Sequence, residues 1–402
     1  MKKVYIYYPS KITGGAEFLL KTVADILKGS IDVCVVDIEG GWLSSNIEGV
    51  QKIIIQEGRK IFLDKNSVLI TTANLLRNLD FYFSGEFKVI GWIVQVNNLI
   101  PIFPKFGAMQ FKRIFKYIFK ETLLKSEYKK INNLASYLES NDSLFTMDDA
   151  CNYVFYKYFG WKVSNYFPVV IPDWKIISPN DFKKTKCTST RCVWLGRLDD
   201  LFKNPILHHV LLDLDRLSKQ NGVDIVFDII GNGPGLAKAQ KVARQTDKIK
   251  INFLGEMRGH QLIDKLSSYD MGFAMGTSAL EISACGVPVV LLDASYAKVP
   301  KAYKYQWLYE SKGYCIGRSI DAALDKTLGN KKNIKEIFDE FLSDGDSIRN
   351  SCYEHVKNYH SVKILEDKLF LALENATSNF KDMVDLGLLN KPYWYFIKRL
   401  LK

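Results

Sequence analysis

The stretch from Met271 to Leu292, MGFAMGTSALEISACGVPVVLL, decides the fold of this chain. Met271–Ala274 is a short apolar run of the kind that forms a buried strand, and Gly276 to Ser278 then open a helical segment. A Gly-Val-Pro sequence ends that helix and starts a second apolar run at 288–292. Strand, helix and strand in this order predict a βαβ unit and therefore a parallel sheet.

The same alternation extends through the rest of the chain in two series. The first series of predicted strands lies at 4–8, 31–36, 52–56, 67–71, 88–96 and 143–146. The second lies at 191–195, 224–230, 251–254, 271–274 and 288–292. A polar stretch without periodicity, 178–190, separates them and is the best candidate for a linker. We therefore expect an α/β protein. The expected parts are a Rossmann-like domain at 1–170, a linker at 171–190, a second Rossmann-like domain at 191–355, and C-terminal helices at 356–402 that pack back on the first domain.

The composition is that of a globular protein with excess positive charge. The chain has 402 residues, of which 47% are hydrophobic and 25% charged, and its formal net charge is +11. Such charge suits nucleic acid, an anionic membrane or an acidic substrate such as a sugar diphosphate. Seven cysteines without CxxC spacing indicate neither a disulfide framework nor a zinc site, and they favour a reducing cytoplasm. The sequence opens directly into a strand pattern and has no apolar run of the roughly 20 residues that span a bilayer. Any membrane contact is therefore expected from one side.

Part of the positive charge is concentrated between Pro101 and Ile131. This stretch has eight Lys and Arg against two Glu, with Phe and Ile at helical spacing on one side, and residues 391–402 repeat the composition. A basic amphipathic helix of this kind binds an anionic lipid surface, so Lys112, Arg113 and Lys116 are expected membrane contacts. The alternative is a helix that packs on the core with a solvated basic face. Because the cations accompany Phe and Ile, nucleic-acid binding is not expected.

Two cations follow the first strand of the second series. In WLGRLD (194–199) a strand ends in Gly-Arg, and Lys203 lies at the start of the next helix. Arg supplies a planar fork of donors and Lys a mobile point charge, so Arg197 and Lys203 suit a diphosphate. A departing nucleoside diphosphate gains negative charge in the transition state, so these cations are expected to assist catalysis. The alternative is an exposed pair on a solvated turn.

Two further loops complete the predicted site. In IIGNGP (229–234) glycines follow a strand, at the edge where an open α/β sheet binds ligands, although a purely structural turn explains them equally well. Thr277 and Ser278 lie at a positive helix N-terminus. Glu281, about one turn further on, can accept two ribose hydroxyls, or it can simply complement the helix dipole.

Taken in order, these motifs resemble a known family. The set comprises GGAE (14–17), VIP (170–172), GRL with Lys203 (196–203), IGNGP (230–234), FLG (253–255) and Glu281 with ACGVP (284–288). It is similar to the retaining glycosyltransferases of the GT-B fold, in particular to glycosyltransferase family 4, over nearly the whole chain. The resemblance implies two Rossmann-like domains that face each other across a cleft, with a C-terminal helical tail.

The resemblance also implies a role for each matching position. Arg197 and Lys203 would hold the diphosphate as catalytic residues. The donor-binding positions would be Gly14 and Gly15 in the N-terminal loop, Gly231 and Gly233 in the nucleotide pocket, Met257 beside the base, Thr277 and Ser278 at the phosphates, and Glu281 at the ribose. No metal and no cofactor are implied, because the nucleotide-sugar is a substrate, a UDP-sugar before a GDP-sugar.

The sequence departs from the family pattern in two places. Phe273 stands eight residues before Glu281, where the family has a glutamate that contacts the transferred sugar. The stretch 92–98 has no histidine, where the family often has His-Asp. The candidates to bind sugar or acceptor hydroxyls there are Gln95, Asn97 and Asn98. None of the three is a general base at neutral pH, but a front-face transfer in which the leaving phosphate accepts the proton tolerates that loss.

We therefore expect a nucleotide-sugar-dependent hexosyltransferase. Its acceptor would be lipid-linked or an oligosaccharide, in the synthesis of a bacterial surface polysaccharide such as lipopolysaccharide, O-antigen or capsule. The enzyme would be cytoplasmic and peripherally bound to the inner face of the cytoplasmic membrane. The other hypotheses are a sugar-nucleotide epimerase of the same fold, which the missing glutamate and histidine disfavour, and a non-catalytic glycosyltransferase-like subunit, which they favour.

Overall fold

A computed structural model of the chain describes residues 2–96, 98–99, 125–177, 189–320 and 329–389. The chain divides into two compact units, unit 1 (Met1–Pro168 with Leu365–Lys402) and unit 2 (Val169–Ile364). Of the predicted contacts, Asn97, Lys112, Arg113 and Lys116 lie outside the described residues, as do most of 101–131 and all of 391–402.

Unit 1 is built on a seven-stranded parallel sheet. Its strands are β1 (Lys3–Tyr7), β2 (Asp32–Asp37), β3 (Gln51–Ile54), β5 (Ser67–Thr72), β7 (Lys88–Ile93), β8 (Leu144–Thr146) and β9 (Asn165–Tyr166). They lie in the order β3-β2-β1-β5-β7-β8-β9, and two short strands, β4 (Ile61–Leu63) and β6 (Phe83–Gly85), pair separately. The helices that follow these strands are α1 (Gly15–Leu27), α2 (Trp42–Asn46), α3 (Leu79–Tyr82), α4 (Lys125–Ser140) and α5 (Asp149–Phe159). Every residue of β5 is buried, as expected for a parallel strand covered on both faces.

Unit 2 repeats the plan with six strands. They are β10 (Thr190–Leu195), β11 (Ile225–Ile230), β12 (Lys250–Gly255), β13 (Met271–Ala274), β14 (Val289–Leu291) and β15 (Gln306–Trp307), in the order β12-β11-β10-β13-β14-β15. All neighbours are parallel except β15, which is antiparallel to β14. The helices are α6 (Asn204–Asn221), α7 (Leu236–Ala243), α8 (Gly259–Leu266), α9 (Thr277–Ala284) and α10 (Ile334–Tyr359). The α/β class with parallel sheets is confirmed.

The chain end returns to unit 1 through α11 (Val362–Asn375) and α12 (Phe380–Asp385). Ser378 O accepts from the amide of Val89 at the start of β7, and the ring of Phe380 stacks on Phe87 with centroids 4.5 Å apart. Unit 1 resumes at Leu365, later than the expected start of the tail at 356, because α10 continues to Tyr359 within unit 2. No helix among the described residues is long and apolar enough to cross a bilayer.

Candidate functional site

The carboxyl ends of neighbouring strands in unit 2 open on one edge of its parallel sheet. Gly196 follows β10, Gly231 follows β11 and Gly276 lies between β13 and α9. In open α/β sheets this is the edge that binds ligands. Five of the eight predicted donor-binding residues lie along this edge, Gly231 and Gly233 in the loop after β11 and Thr277, Ser278 and Glu281 in α9.

Two of the predicted side chains converge over Gly196. The φ angle of this residue is 153°, which favours glycine. A methyl group built on its Cα would lie 3.3 Å from Lys203 Nζ and 3.9 Å from Ser278 Oγ. The ammonium of Lys203, before α6, and the hydroxyl of Ser278, in the first turn of α9, therefore border the same small space, where both can donate hydrogen bonds to one anion.

The glycines after β11 are required by contact with the loop after β10. Gly231 has a φ of 146°, and a methyl group there would lie only 2.0 Å from Gly196 O. A methyl group on Gly233 would lie 2.2 Å from Leu198 O and 3.2 Å from Arg197 Cγ. The absence of a side chain at Gly231 and Gly233 therefore allows the cation-bearing loop to pack directly against this backbone.

The Lys203 ammonium carries a positive charge at some energetic cost. Burial lowers the pKa of Lys203, the nearby Asp199 carboxylate raises it, and the positive charge of Arg197 lowers it further. Within the described part of the chain, no carboxylate lies at ion-pairing distance from Lys203 Nζ. A bound anion would supply the missing partner and would restore the pKa of Lys203 towards its ordinary range.

Asp199 shapes the loop that carries both cations, and sequence reasoning did not assign it a role. Its carboxylate is buried, and Oδ1 accepts hydrogen bonds from the amides of Leu201, Phe202 and Lys203 at 3.1, 3.0 and 3.3 Å. Its Oδ2 lies 3.4 Å from Nη2 of Arg197, whose side chain is 62% exposed. The charge of Arg197 therefore acts on Lys203, but the Arg197 side chain points towards solvent. It does not border the space over Gly196 that Lys203 and Ser278 share.

Glu281 lies in the second turn of α9, and the first turn of this helix has no acidic residue. Because the helix dipole acts within the first turn, it does not account for Glu281. The Glu281 carboxylate instead forms an ion pair with Lys175, which comes from a 3₁₀ turn at Asp173–Lys175. At the N-terminus of α9, Thr277 is exposed and Ser278 half-buried.

The structure explains the missing glutamate at position 273. Phe273 lies inside β13, paired with Trp194 and Val290, and is fully buried. Met275 and Gly276 alone separate β13 from α9. The position eight residues before Glu281 therefore falls in the sheet, and the short loop leaves no site for a carboxylate that faces a sugar.

The predicted base-reading position, Met257, lies in the loop after β12. The amide of Gly231 donates to Gly255 O at 2.7 Å, so this loop adjoins the loop after β11. Met257 is half-buried between Glu256 and Arg258, which form an ion pair with each other. A nucleobase at this edge would meet an apolar side chain and exposed backbone.

In unit 1 the N-terminal glycine loop is held by a carboxylate that sequence reasoning left without a role. Glu17 is buried in the first turn of α1, and Ser10 Oγ donates to its Oε1 at 2.6 Å. Its Oε2 would lie 2.8 Å from a methyl group on Gly14. The carboxylate therefore folds over Gly14, and a side chain at that position would displace it. The next residue, Gly15, is the first of α1, and no atom in the described part of the chain lies within 4 Å of a methyl group built on it.

The predicted sugar-binding amides of unit 1 divide into two kinds. Asn98 is used by its own turn, because Oδ1 accepts from the amides of Val94 and Gln95 at 2.8 and 2.9 Å. Its Nδ2 donates to Asn74 Oδ1 at 3.3 Å, which adds Asn74 to the amide group. Gln95 is exposed. Gln95 and Asn74 are thus the side chains better placed to meet a ligand.

The second half of the chain is similar in sequence to a known protein family, and the whole fold is similar to that of solved structures. Residues 193–352 match the family model for glycosyl transferases group 1. No curated protein matches. HepE of Anabaena in complex with UDP and glucose is similar with a TM-score of 0.53 at 14% identity, over 93% of this chain and 100% of that one. A UDP-forming α,α-trehalose-phosphate synthase from Burkholderia xenovorans is similar with a TM-score of 0.54 at 11% identity, over 94% and 100%. The GT-B fold and the resemblance to group 1 glycosyl transferases are confirmed.

Proposed function

We propose that this glycosyltransferase of the GT-B type moves a hexosyl group from a nucleotide-sugar, a UDP-sugar before a GDP-sugar, without a metal ion. The proposed acceptor is lipid-linked or an oligosaccharide, in bacterial surface polysaccharide synthesis. One observation carries the donor assignment: Lys203 and Ser278 converge over Gly196, inside the region that matches the family model.

Charge explains how this geometry can assist the reaction. Lys203 lacks a carboxylate partner among the described residues, and Arg197 lies near enough for its charge to lower the pKa of Lys203. A diphosphate between the two cations would remove their mutual repulsion. Because the leaving diphosphate gains negative charge as the sugar bond breaks, this stabilisation increases towards the transition state.

The remaining donor contacts follow along the same edge. Glu281 is proposed to accept ribose hydroxyls, and the backbone near Gly255 and Met257 to read the base. HepE was crystallised with UDP, and its fold likeness supports a uridine nucleotide as the first donor to test. Anomeric configuration is proposed to be retained, with the leaving phosphate accepting the acceptor proton.

The acceptor side rests on uncharged groups. The exposed side-chain amides of Gln95 and Asn74, which follow β7 and β5, suit neutral sugar hydroxyls, because such hydroxyls both accept and donate hydrogen bonds. A non-catalytic subunit is the second candidate, because Phe273 is buried where the family has a sugar-binding carboxylate. Donor hydrolysis distinguishes the two.

The membrane proposal concerns the basic segment 101–131. Its C-terminal end is fixed to unit 1, since the buried Glu127 pairs with Arg77 at 2.9 Å. We propose that Lys112, Arg113 and Lys116 bind the anionic inner face of the cytoplasmic membrane. Sedimentation with vesicles of anionic lipid should weaken when these three are neutralised, by about 1 kcal/mol each at low salt. Equal sedimentation of the neutralised variant would contradict the membrane assignment.

The donor assignment is tested with a panel of UDP-, GDP- and other nucleotide-sugars. Thermal stabilisation together with slow donor hydrolysis supports a transferase, while interconversion of sugars without acceptor indicates an epimerase. Stabilisation by no member of the panel indicates an inert subunit. Lys203→Ala is expected to lower turnover by about 10²- to 10³-fold with the fold intact. Arg197→Ala should also lower turnover, and wild-type rates in both variants would remove the proposed diphosphate site.

A further inference from the structure

The partner of Glu281 comes from outside the motifs that define the donor site. Lys175 follows the Val-Ile-Pro sequence at 170–172, in the segment 171–190 that the sequence predicts to be a linker. Its ammonium pairs with Oε1 of Glu281, and the two side chains are 25% and 21% exposed. Both charges are therefore partly withdrawn from water, where an ion pair is stronger than on an open surface.

The position of Lys175 relative to α9 is fixed by the backbone. The amide of Lys175 donates to Pro172 O at 3.0 Å, which closes the 3₁₀ turn. Two residues later, the amide of Ile177 donates to Ala284 O at 3.1 Å, at the last residue of α9. The turn that carries Lys175 is thus tied to the helix that carries Glu281, so the ion pair is built into the fold of unit 2.

The pair uses one oxygen of the carboxylate. Among the described residues, only the Lys175 side chain forms a hydrogen bond or an ion pair with the Glu281 carboxylate, and it contacts Oε1. Oε2 remains open to a ligand. A carboxylate that is held by an ammonium on one oxygen has a fixed orientation, so the other oxygen is a prepared acceptor for a hydroxyl.

We propose that Lys175 is a positioning residue of the donor site, which holds Glu281 through Oε1 so that Oε2 receives a ribose hydroxyl. This inference rests on the proposed function, because it requires Glu281 to bind ribose. Lys175 would then control how well the enzyme distinguishes a ribonucleotide from its 2′-deoxy counterpart, while the diphosphate end of the site stays unaffected.

The test compares UDP with 2′-deoxy-UDP by calorimetric titration of the full chain, with GDP and 2′-deoxy-GDP as the second pair. The wild type is expected to prefer the ribonucleotide by about tenfold, which is the effect of one hydrogen bond to a charged group. Lys175→Met and Glu281→Gln should each reduce this ratio towards one. Lys175→Arg, which keeps the charge, should restore most of it. The double variant, which combines Lys175→Met with Glu281→Gln, should have the same ratio of ribonucleotide to deoxyribonucleotide affinity as Glu281→Gln alone.

The controls separate positioning from folding. Lys335→Met breaks an exposed Lys–Asp pair at 2.6 Å on α10 and should leave the ratio unchanged. Binding of inorganic pyrophosphate should be equal in Lys175→Met and wild type. A wild-type ratio in Lys175→Met overturns the inference, and so does tighter UDP binding, because Lys175 would then compete with the ribose. Failure of the proposed function looks different: the wild type then binds neither UDP nor GDP, and the inference falls with it.

Discussion

A methyl group added at Gly231 would collide with the loop that carries the proposed diphosphate ligands. In Gly231→Ala the new carbon would lie 2.0 Å from Gly196 O and 2.9 Å from Gly196 C. Non-bonded carbon and oxygen atoms stay about 3.3 Å apart or more, so the Gly196 backbone must move by about 1 Å. Because Gly196 borders Lys203 Nζ and Ser278 Oγ, the displacement passes directly into the candidate site.

The size of the effect follows from this displacement. A backbone held in a sparsely populated region costs about 1–3 kcal/mol, which for a unit of this size lowers Tm by about 2–10 °C. Misplacement by about 1 Å costs on the order of 10²-fold in rate. We therefore expect donor hydrolysis by Gly231→Ala to fall about 100-fold at a temperature where the variant is fully folded.

The matched control is Gly222→Ala at the C-cap of α6. Gly222 also has a positive φ, 69°, but a methyl group there would meet no atom of the described residues within 4 Å. It should cost about 1 kcal/mol of stability and leave hydrolysis and UDP affinity unchanged. Scanning calorimetry measures the stability, and UDP release measures the rate. Wild-type UDP affinity and hydrolysis in Gly231→Ala would refute the link between this glycine, Gly196 and the donor.

Three further predictions concern buried polar groups. Burial lowers the pKa of the His360 imidazole to about 4 from 6.5, so the contribution of His360 to stability falls as pH drops between these values. His360→Asn should remove this contribution, which is on the order of 3 kcal/mol. The difference in unfolding free energy between variant and wild type, measured with urea from pH 4 to 7, tests this. Burial raises the pKa of Asp148 to about 6 from 3.8, so the contribution of Asp148 to stability falls as pH rises through that window. Asp148→Asn keeps the cap on the Cys151 amide and should be more stable above pH 6, by about 2–3 kcal/mol. Ser10→Ala removes the donor to the buried Glu17 carboxylate and should cost about 1–3 kcal/mol in the same assay.

Local sequence pattern was sufficient for the elements whose neighbours in the chain determine them. Met271–Ala274 is a strand as predicted, because four apolar residues between turn residues are buried on both faces. Helix α5 begins directly after Asp148, because the Asp148 carboxylate accepts a hydrogen bond from the Cys151 amide. Such patterns involve residues that are only a few positions apart in the chain. They can therefore be recognised from a single sequence.

Other features depend on contacts that no local pattern reveals. The strand predicted at 88–96 ends at Ile93, because the Asn98 side chain accepts from the amides of Val94 and Gln95 and turns the chain. β15 has two residues, too few for any periodicity. The same limit applies to β4, β6 and β9.

The site shows the same division between local and distant information. The cations and glycines are visible in sequence because strand ends and glycines mark the ligand edge of a parallel sheet. The partner of Glu281 is not visible, because Lys175 lies 106 positions away and is brought to α9 by tertiary contacts. The role of Asp199, three backbone amides on one carboxylate oxygen, likewise requires the folded loop.

A crystal structure of the chain with UDP is the most direct test of the donor site. We expect a phosphate oxygen in the space beside Gly196, within about 2.7–3.2 Å of both Lys203 Nζ and Ser278 Oγ, and a ribose hydroxyl on Glu281 Oε2. UDP bound elsewhere on unit 2, with the Lys203 ammonium still lacking an anionic partner, would contradict it.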